Sequence, residues 1–147
     1  MMNIKGKKSV DSIHKELGHI MWEYVGMGRT AEGLKEGLKK LKEVRKEFEK
    51  ELFIPGDKEG MNVELDKAIR LYDFITMGEL VAYDALNRNE SCGGHFREEY
   101  QTEEGEAKRD DENYFYVACW GIPGFRRKRT GIAERTSGIR SNQGTDS

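Results

Sequence analysis

The 147-residue chain has few cysteines and prolines and no long apolar run. Cys92 and Cys119 are its only cysteines and form no C-x-x-C motif, so a disulfide framework is not expected and a reduced, cytoplasmic setting fits best. No apolar stretch approaches the ~18 residues of a membrane span, and the polar N-terminus lacks the apolar core of a signal peptide. We therefore expect no direct membrane span.

The sequence also lacks a large net charge and a nucleotide-binding fingerprint. A net charge of −2 argues against a nucleic-acid surface. No G-x-G-x-x-G is present, and the Gly-Met-Gly-Arg-Thr run at Gly26–Thr30 is too short and follows a helical pattern instead of a strand. We therefore predict no catalytic and no cofactor-binding residue in this chain. Its length predicts a single domain.

A metal site is not expected either. His14 and His19 lie five positions apart, about 140° around a helix, so they do not share a face. We expect His14 to be exposed and His19 to be partly packed. A site made by Cys92, His95 and Cys119 remains an alternative, although it has only three soft ligands at irregular spacing.

What the sequence does contain is helical periodicity over residues 9–88. The first helix starts at a cap formed by Ser9 or Asp11 and ends at Gly26–Gly28; the second runs from Thr30 to about Leu52. The third runs from Asn62 to about residue 87 or 88. Their predicted apolar stripes are, in order, Val10, Ile13, Leu17, Ile20, Met21, Tyr24 and Val25; Leu34, Leu38, Leu41, Val44 or Arg45, Phe48 and Leu52; and Leu65, Ala68, Ile69, Tyr72, Ile75 or Thr76, Glu79 or Leu80, Tyr83 and Leu86.

Short breaks near 26–29 and 53–61 join these helices. The predicted fold class is therefore all-α, an antiparallel three-helix bundle of the up-down-up, spectrin-like type. An irregular loop and a short extended segment over 114–120 are expected to follow it. Residues 1–8 are predicted to be a disordered start.

The most informative stretch runs from Asn87 to Asn113. It contains Glu-Ser-Cys-Gly-Gly-His-Phe-Arg-Glu-Glu at Glu90–Glu99 and Arg-Asp-Asp-Glu-Asn at Arg109–Asn113. Gly93 and Gly94 lack Cβ atoms and can take a positive φ. Taken alone, the stretch is typical of a helix C-cap followed by a solvated, charged loop.

Glu90–Glu99 resembles the Glu-Ser-Arg-Gly-Ala-His-x-Arg-x-Asp motif of the succinate dehydrogenase/fumarate reductase flavoproteins, of which the L-aspartate oxidases carry a similar version. Arg109–Asn113 is similar to the Arg-Asp-Asp-Glu-Asn run that follows it in that family. The match departs at Cys92, where the common form has Arg, and at Gly94, where it has Ala. The resemblance covers residues 9–120 and implies the C-terminal helical domain of a much longer flavoprotein.

The resemblance implies a parent enzyme that is an FAD-dependent oxidoreductase. It would interconvert succinate and fumarate and pass electrons through an iron–sulfur subunit to quinone, at the inner, cytoplasmic face of the cell membrane. The family's flavin-linking and substrate-binding residues have no matching positions here, so the fragment alone is expected to hold no cofactor and to be inactive.

The resemblance further implies that the two motifs dock this domain against the flavin-binding and capping domains of the parent subunit and its iron–sulfur subunit. The implied docking residues are Glu90, Ser91, Gly93, Gly94, His95, Arg97, Glu98, Arg109, Asp110, Asp111 and Asn113. The alternative is a free-standing three-helix module whose exposed apolar stripe grips a partner helix.

The tail, residues 121–147, differs in composition from the rest. It has six Lys and Arg residues against Glu134 and Asp146, a net charge of +4, with five glycines and no Leu, Val or Tyr. Codons for residues 120–125 can be chosen so that deletion of one base gives Trp-Glu-Tyr, the sequence found at this point in the resembling family. The same shift of reading frame farther downstream, again with permitted codons, can give a Lys-Glu-Pro-Leu-x-Tyr stretch like the one found later in that family. We therefore expect 121–147 to be an irregular, out-of-frame tail with no function.

Overall fold

The computed structural model describes residues 1–2, 4–56, 60–117 and 120. Its elements are β1 (Lys8–Ser9), α1 (Val10–Val25), α2 (Ala31–Glu51), β2 (Leu52–Phe53), α3 (Val63–Asn87) and α4 (Asp111–Tyr114). The chain divides into two compact units, residues 1–109 and 110–147. The first unit holds the three long helices, and the all-α fold class is confirmed.

Each long helix starts at a side-chain cap. Ser9 Oγ accepts from the Ser12 amide at 3.2 Å, Thr30 Oγ1 accepts from the Gly33 amide at 3.0 Å, and Asn62 Oδ1 accepts from the Leu65 amide at 3.0 Å. These bonds satisfy amides that have no partner within the helix. Of the two caps predicted for α1, Ser9 is the one used, and Thr30 and Asn62 cap the helices predicted to begin at them.

The helices run up, down and up. Lys8, just before α1, pairs in parallel with Leu52, just after α2, so α1 starts where α2 ends. Lys67, near the start of α3, forms an ion pair of 3.4 Å with Asp11 in the first turn of α1. Helices α1 and α3 therefore run in the same direction, with α2 opposed to both.

The core lies between these helices, and its α1 and α2 sides agree with the predicted stripes. Its buried apolar side chains are Val10, Ile13, Leu17, Ile20, Val25, Leu34, Leu41, Val44, Phe48, Leu52, Ile54, Ala68, Leu71, Ile75, Ala82 and Ala85. Helices α1 and α2 approach closely at Gly37, where an added Cβ would lie 2.8 Å from Tyr24 Cβ. Arg45 of α2 binds both carboxylate oxygens of Glu79 on α3, at 2.9 and 2.8 Å.

The predicted stripe of α3 is confirmed in part: Ala68 and Ile75 are buried, and Leu65 and Leu86 pack against the core. Ile69, Tyr72 and Tyr83 are exposed, whereas the buried arc is formed by Ala68, Leu71, Ile75, Gly78, Ala82 and Ala85. The reason is close packing: at Gly78 an added Cβ would lie 3.0 Å from Met21 Sδ. Small residues let α3 approach α1 and α2, which turns its larger apolar side chains outward.

Two further local expectations differ from the structure. Within residues 1–8, Met2 and Ile4 pack against the core, Gly6 lies directly on the Glu51 backbone, and Lys8 belongs to β1, so the described part of this segment is not a disordered start. Burying two apolar side chains stabilises this conformation. His19 is exposed and not partly packed, since its ring faces Glu23 on the outer side of α1 at 3.4 Å.

In the second unit, residues 110–117 and 120 are described. Asp110 caps the short helix α4 by accepting from the Asn113 amide at 3.2 Å. Tyr114, expected in an extended segment, ends this helix, and no strand is assigned to 115–117 or to 120. The rest of the predicted tail lies outside the described residues.

Candidate functional site

The motif loop, residues 88–109, packs against the bundle end where α1 ends, α2 begins and α3 ends. The Arg29 amide donates to the Phe96 carbonyl at 3.1 Å, and the Glu98 amide donates to the Arg29 carbonyl at 2.8 Å. These two bonds form a parallel bridge between Arg29 and Arg97. The connection between α1 and α2 is thereby held to the loop that carries the Glu-Ser-Cys-Gly-Gly-His motif.

The loop is shaped by two local devices. Ser91 is fully buried, and its Oγ accepts from the Arg97 amide at 2.8 Å and donates to the Arg97 carbonyl at 3.0 Å. Between them, Cys92 and His95 exchange two backbone hydrogen bonds of 2.8 and 3.1 Å across a tight turn. Gly93 takes a positive φ of +58° in this turn, as the sequence predicts. Glycine suits this position because a residue with a side chain would be strained at that φ.

Arg97 is the buried centre of the loop, with 2% of its surface exposed. Its Nη1 donates to the carbonyls of Ala85 and Leu86, at 3.0 and 3.3 Å, in the last turn of α3. Its Nε donates to Glu99 Oε2 at 3.1 Å, and its guanidinium lies 5.4 Å from the centre of the Tyr100 ring. Arg97 therefore caps α3, the role that the sequence analysis considered for the glycines.

Arg29 has the corresponding position at the end of α1. Its Nε donates to the carbonyls of Val25 and Gly26, at 3.2 and 2.9 Å, and its Nη1 lies 3.0 Å from His95 Nδ1. Burial lowers the pKa of the Arg29 guanidinium from its ordinary value, while leaving it charged at neutral pH. Arg29 is not among the predicted site residues, although an arginine just after a helix is a known capping signal.

His95 links two elements of this site. Its Nε2 lies 3.0 Å from the Arg88 carbonyl, which can only accept, so Nε2 carries the proton and Nδ1 accepts from Arg29. Burial lowers the pKa of His95 below its ordinary value; the bond to the Arg88 carbonyl opposes this shift, and the surrounding guanidinium charges add to it. The geometry therefore requires a neutral imidazole.

Glu99 caps the third helix end of this site, the N-terminus of α2. Its Oε1 accepts from the Ala31 amide in the first turn of α2, while Oε2 accepts from Arg97. Burial on its own would raise the pKa of Glu99, but the hydrogen bonds from Ala31 and Arg97 outweigh it and lower the pKa. A carboxylate at a helix N-terminus complements the partial positive charge there.

Together, the motif loop and the connection between α1 and α2 place one charge of the favourable sign at each of three helix ends. Arg29 lies at the C-terminus of α1, Arg97 at the C-terminus of α3 and Glu99 at the N-terminus of α2. Glu90, 2% exposed, is compensated by Arg88, whose Nε donates to it at 2.7 Å. The chemical role of this arrangement is to neutralise the helix ends and to hold the loop in one conformation.

The structure separates the predicted docking residues into two groups. Glu90, Ser91 and Arg97 are buried, the first two bonded inside the loop and Arg97 to the end of α3. His95 is half-buried between Arg29 and the Arg88 carbonyl. The exposed group consists of Gly93, Gly94, Glu98, Arg109, Asp111 and Asn113. Asp110, half-buried, binds Asn113 within the second unit, so this part of the second motif forms its own capped turn.

The alternative metal site of Cys92, His95 and Cys119 is only partly described by the structure. Cys92 and His95 share a turn, whereas Cys119 lies outside the described residues. Over the described part of the chain, no three His, Cys, Asp or Glu side chains are grouped so that they could hold a metal ion. Over the same residues, no helix combines the length and the apolar character needed to cross a membrane.

The chain was compared with protein families, curated proteins and solved structures. The model of the family "Fumarate reductase flavoprotein C-term" matches residues 14–135, so the match continues beyond Trp120 into the segment interpreted as out of frame. The fumarate reductase flavoprotein subunit of Proteus vulgaris is 34% identical over 114 residues, 78% of this chain and 18% of that protein. An uncharacterized FAD-dependent oxidoreductase of Methanocaldococcus jannaschii is 31% identical over 98 residues, 67% of this chain and 17% of that protein.

Among solved structures, a quinol–fumarate reductase with menaquinol molecules matches with a TM-score of 0.68 at 30% identity, covering 80% of this chain and 19% of that chain. The chain thus spans less than a fifth of the length of each of these relatives.

Proposed function

Because the chain belongs to the fumarate reductase flavoprotein C-terminal family, we propose that it is the C-terminal helical domain of a flavoprotein that interconverts succinate and fumarate. FAD would be held by the parent subunit, and electrons would pass through an iron–sulfur subunit to quinone at the cytoplasmic face of the membrane. The observation that carries this proposal is the family match across residues 14–135, accompanied by the same helical fold in a quinol–fumarate reductase.

The domain's own role in this proposal is docking, without catalytic groups. Its partners would be the flavin-binding and capping domains of the parent subunit and the iron–sulfur subunit. The buried members of the motif, Ser91 and Arg97, would act indirectly, by holding the loop in shape. Gly93, Gly94 and Glu98 are exposed on that loop and would be its contacting positions.

A chimera tests this role. The matched 114-residue region of the Proteus vulgaris subunit would be replaced by the whole chain, and the product would be assayed for bound flavin and for reduction of fumarate by a reduced dye. We expect the chimera to retain flavin and activity, and the chain purified alone to have neither. A chimera that folds but holds no flavin would contradict the docking role, and flavin bound by the isolated chain would contradict the absence of cofactor groups.

We further propose that residues 121–147 are read out of frame. The support is their composition, with a net charge of +4 and no Leu, Val or Tyr. The family match reaches residue 135 and counts against this proposal, so the parent DNA is the deciding measurement. Codons that fail to restore Trp-Glu-Tyr after residue 119 when one base is dropped would refute this proposal.

A further inference from the structure

Helix α3 carries an unusual concentration of exposed apolar side chains. Eight of the fifteen large apolar side chains that are exposed in the described part of the chain lie on it, with exposed fractions of 39–60%. We call this set the outer face of α3; it consists of Val63, Ile69, Tyr72, Phe74, Met77, Leu80, Val81 and Tyr83. Large exposed apolar patches rimmed by polar residues mark interaction sites.

The outer face is ordered and has a defined pattern. Phe74, Met77 and Val81 recur at three and four residues on the side next to α1, where the Phe74 ring stacks on His14 with centroids 5.7 Å apart. Ile69, Tyr72, Leu80 and Tyr83 form a second line on the side next to α2, where Tyr72 lies 5.9 Å from Phe48. Both lines are supported by the bundle behind them.

An acidic row separates the two apolar lines. Asp66, Asp73 and Asp84 fall on the same side of the helix at 3.6 residues per turn. Asp66 is paired with Arg70 at 3.0 Å, whereas Asp73 is exposed and has no side-chain partner among the described residues. The outer face is therefore apolar with an excess of negative charge at its centre.

We propose that the outer face of α3 is the surface on which the flavin-binding portion of a family flavoprotein docks, through an apolar patch with a basic group opposite Asp73. This inference rests on the proposed function and names the interface that it uses. The motif loop is a weaker candidate for the main contact, since Arg97 and Glu99 are bonded to the bundle and Glu90 is paired with Arg88 inside the loop.

Two observations favour this occupant. The chain covers only 17–18% of the length of its relatives, so more than four fifths of such a protein is available to cover the face. A second copy of the chain fits less well, because a symmetric contact between two outer faces would bring the exposed Asp73 of each copy towards an acidic row. A basic, apolar surface on a different protein has no such repulsion.

The test uses one matched pair of substitutions in the chimera described above. Met77→Glu places a charge on the outer face, and Met61→Glu places the same charge at a fully exposed residue just before α3. Both methionines are exposed, so neither substitution disturbs the core; circular dichroism melting of each isolated 147-residue variant checks this. The readouts are flavin per chimera and fumarate reduction, with sedimentation of the isolated wild-type chain to establish its oligomeric state.

We expect Met77→Glu to lower flavin content and activity at least tenfold relative to Met61→Glu, with the isolated chain monomeric and both variants melting like wild type. Full activity of the Met77→Glu chimera beside an active wild-type chimera would overturn this inference and leave the proposed function intact. An inactive wild-type chimera would overturn both. An isolated chain that dimerises, and that Met77→Glu makes monomeric, would assign the face to a second copy and overturn the flavoprotein as its occupant.

Discussion

Replacing Arg97 with methionine is expected to destabilise the bundle strongly, although Arg97 belongs to a loop. The substitution removes two hydrogen bonds to the last turn of α3 and the ion pair with Glu99. Hydrogen bonds from a charged donor contribute about 1.5–3 kcal/mol each. The ion pair adds little, because the Glu99 side chain is 39% exposed and solvent screens it. Burial of the methionine offsets about 1 kcal/mol.

We therefore expect a loss of about 3 kcal/mol in the free energy of unfolding, measured by urea titration with far-ultraviolet circular dichroism. The matched control is Arg70→Met, since Arg70 is exposed and, among the described residues, is paired only with Asp66 one turn away; its cost should stay below about 0.5 kcal/mol. Arg97→Lys should fall between the two, because an ammonium lacks the planar fork that reaches several acceptors. If Arg97→Met proves as stable as Arg70→Met, the capping role assigned to Arg97 is wrong.

Two further predictions concern other parts of the bundle. The pKa of His95 is lower in the folded chain than its ordinary value of 6.5. Below pH 6.5 the unfolded chain therefore takes up a proton at this residue that the folded chain does not. The contribution of His95 to the free energy of unfolding is complete above pH 6.5 and decreases as the pH falls below it. Between pH 7.5 and 5.5 the wild type should lose more stability than His95→Gln, and equal losses in urea titrations would exclude this linkage. Gly18 has open space around it, so Gly18→Ala should stabilise α1 by about 0.5–1 kcal/mol, whereas Gly37→Ala should cost about 1 kcal/mol because its methyl group would meet Tyr24 Cβ at 2.8 Å. Thermal melting distinguishes the two, and a stabilising Gly37→Ala would show that α1 and α2 can separate at no cost.

The sequence by itself determined the three helices and their caps, because both depend on local chemistry. Ser9, Thr30 and Asn62 cap helices through bonds to amides three residues away, and the α1 and α2 stripes depend on spacing along one helix. The positive φ of Gly93 also follows from residue type. None of these features needs a contact distant in sequence.

Only the tertiary structure decided which arc of α3 is buried and what the motif loop does. Helix α3 has apolar residues on several sides, and the buried side is chosen by the closeness that Ala68, Gly78 and Ala82 permit, a property of three helices together. Likewise, Arg29 and His95 are 66 positions apart, and no local pattern links them. The loop caps α2 and α3, and Arg29 beside it caps α1, because chain topology brings two C-termini and one N-terminus to the same end of the bundle, where their partial charges require compensation.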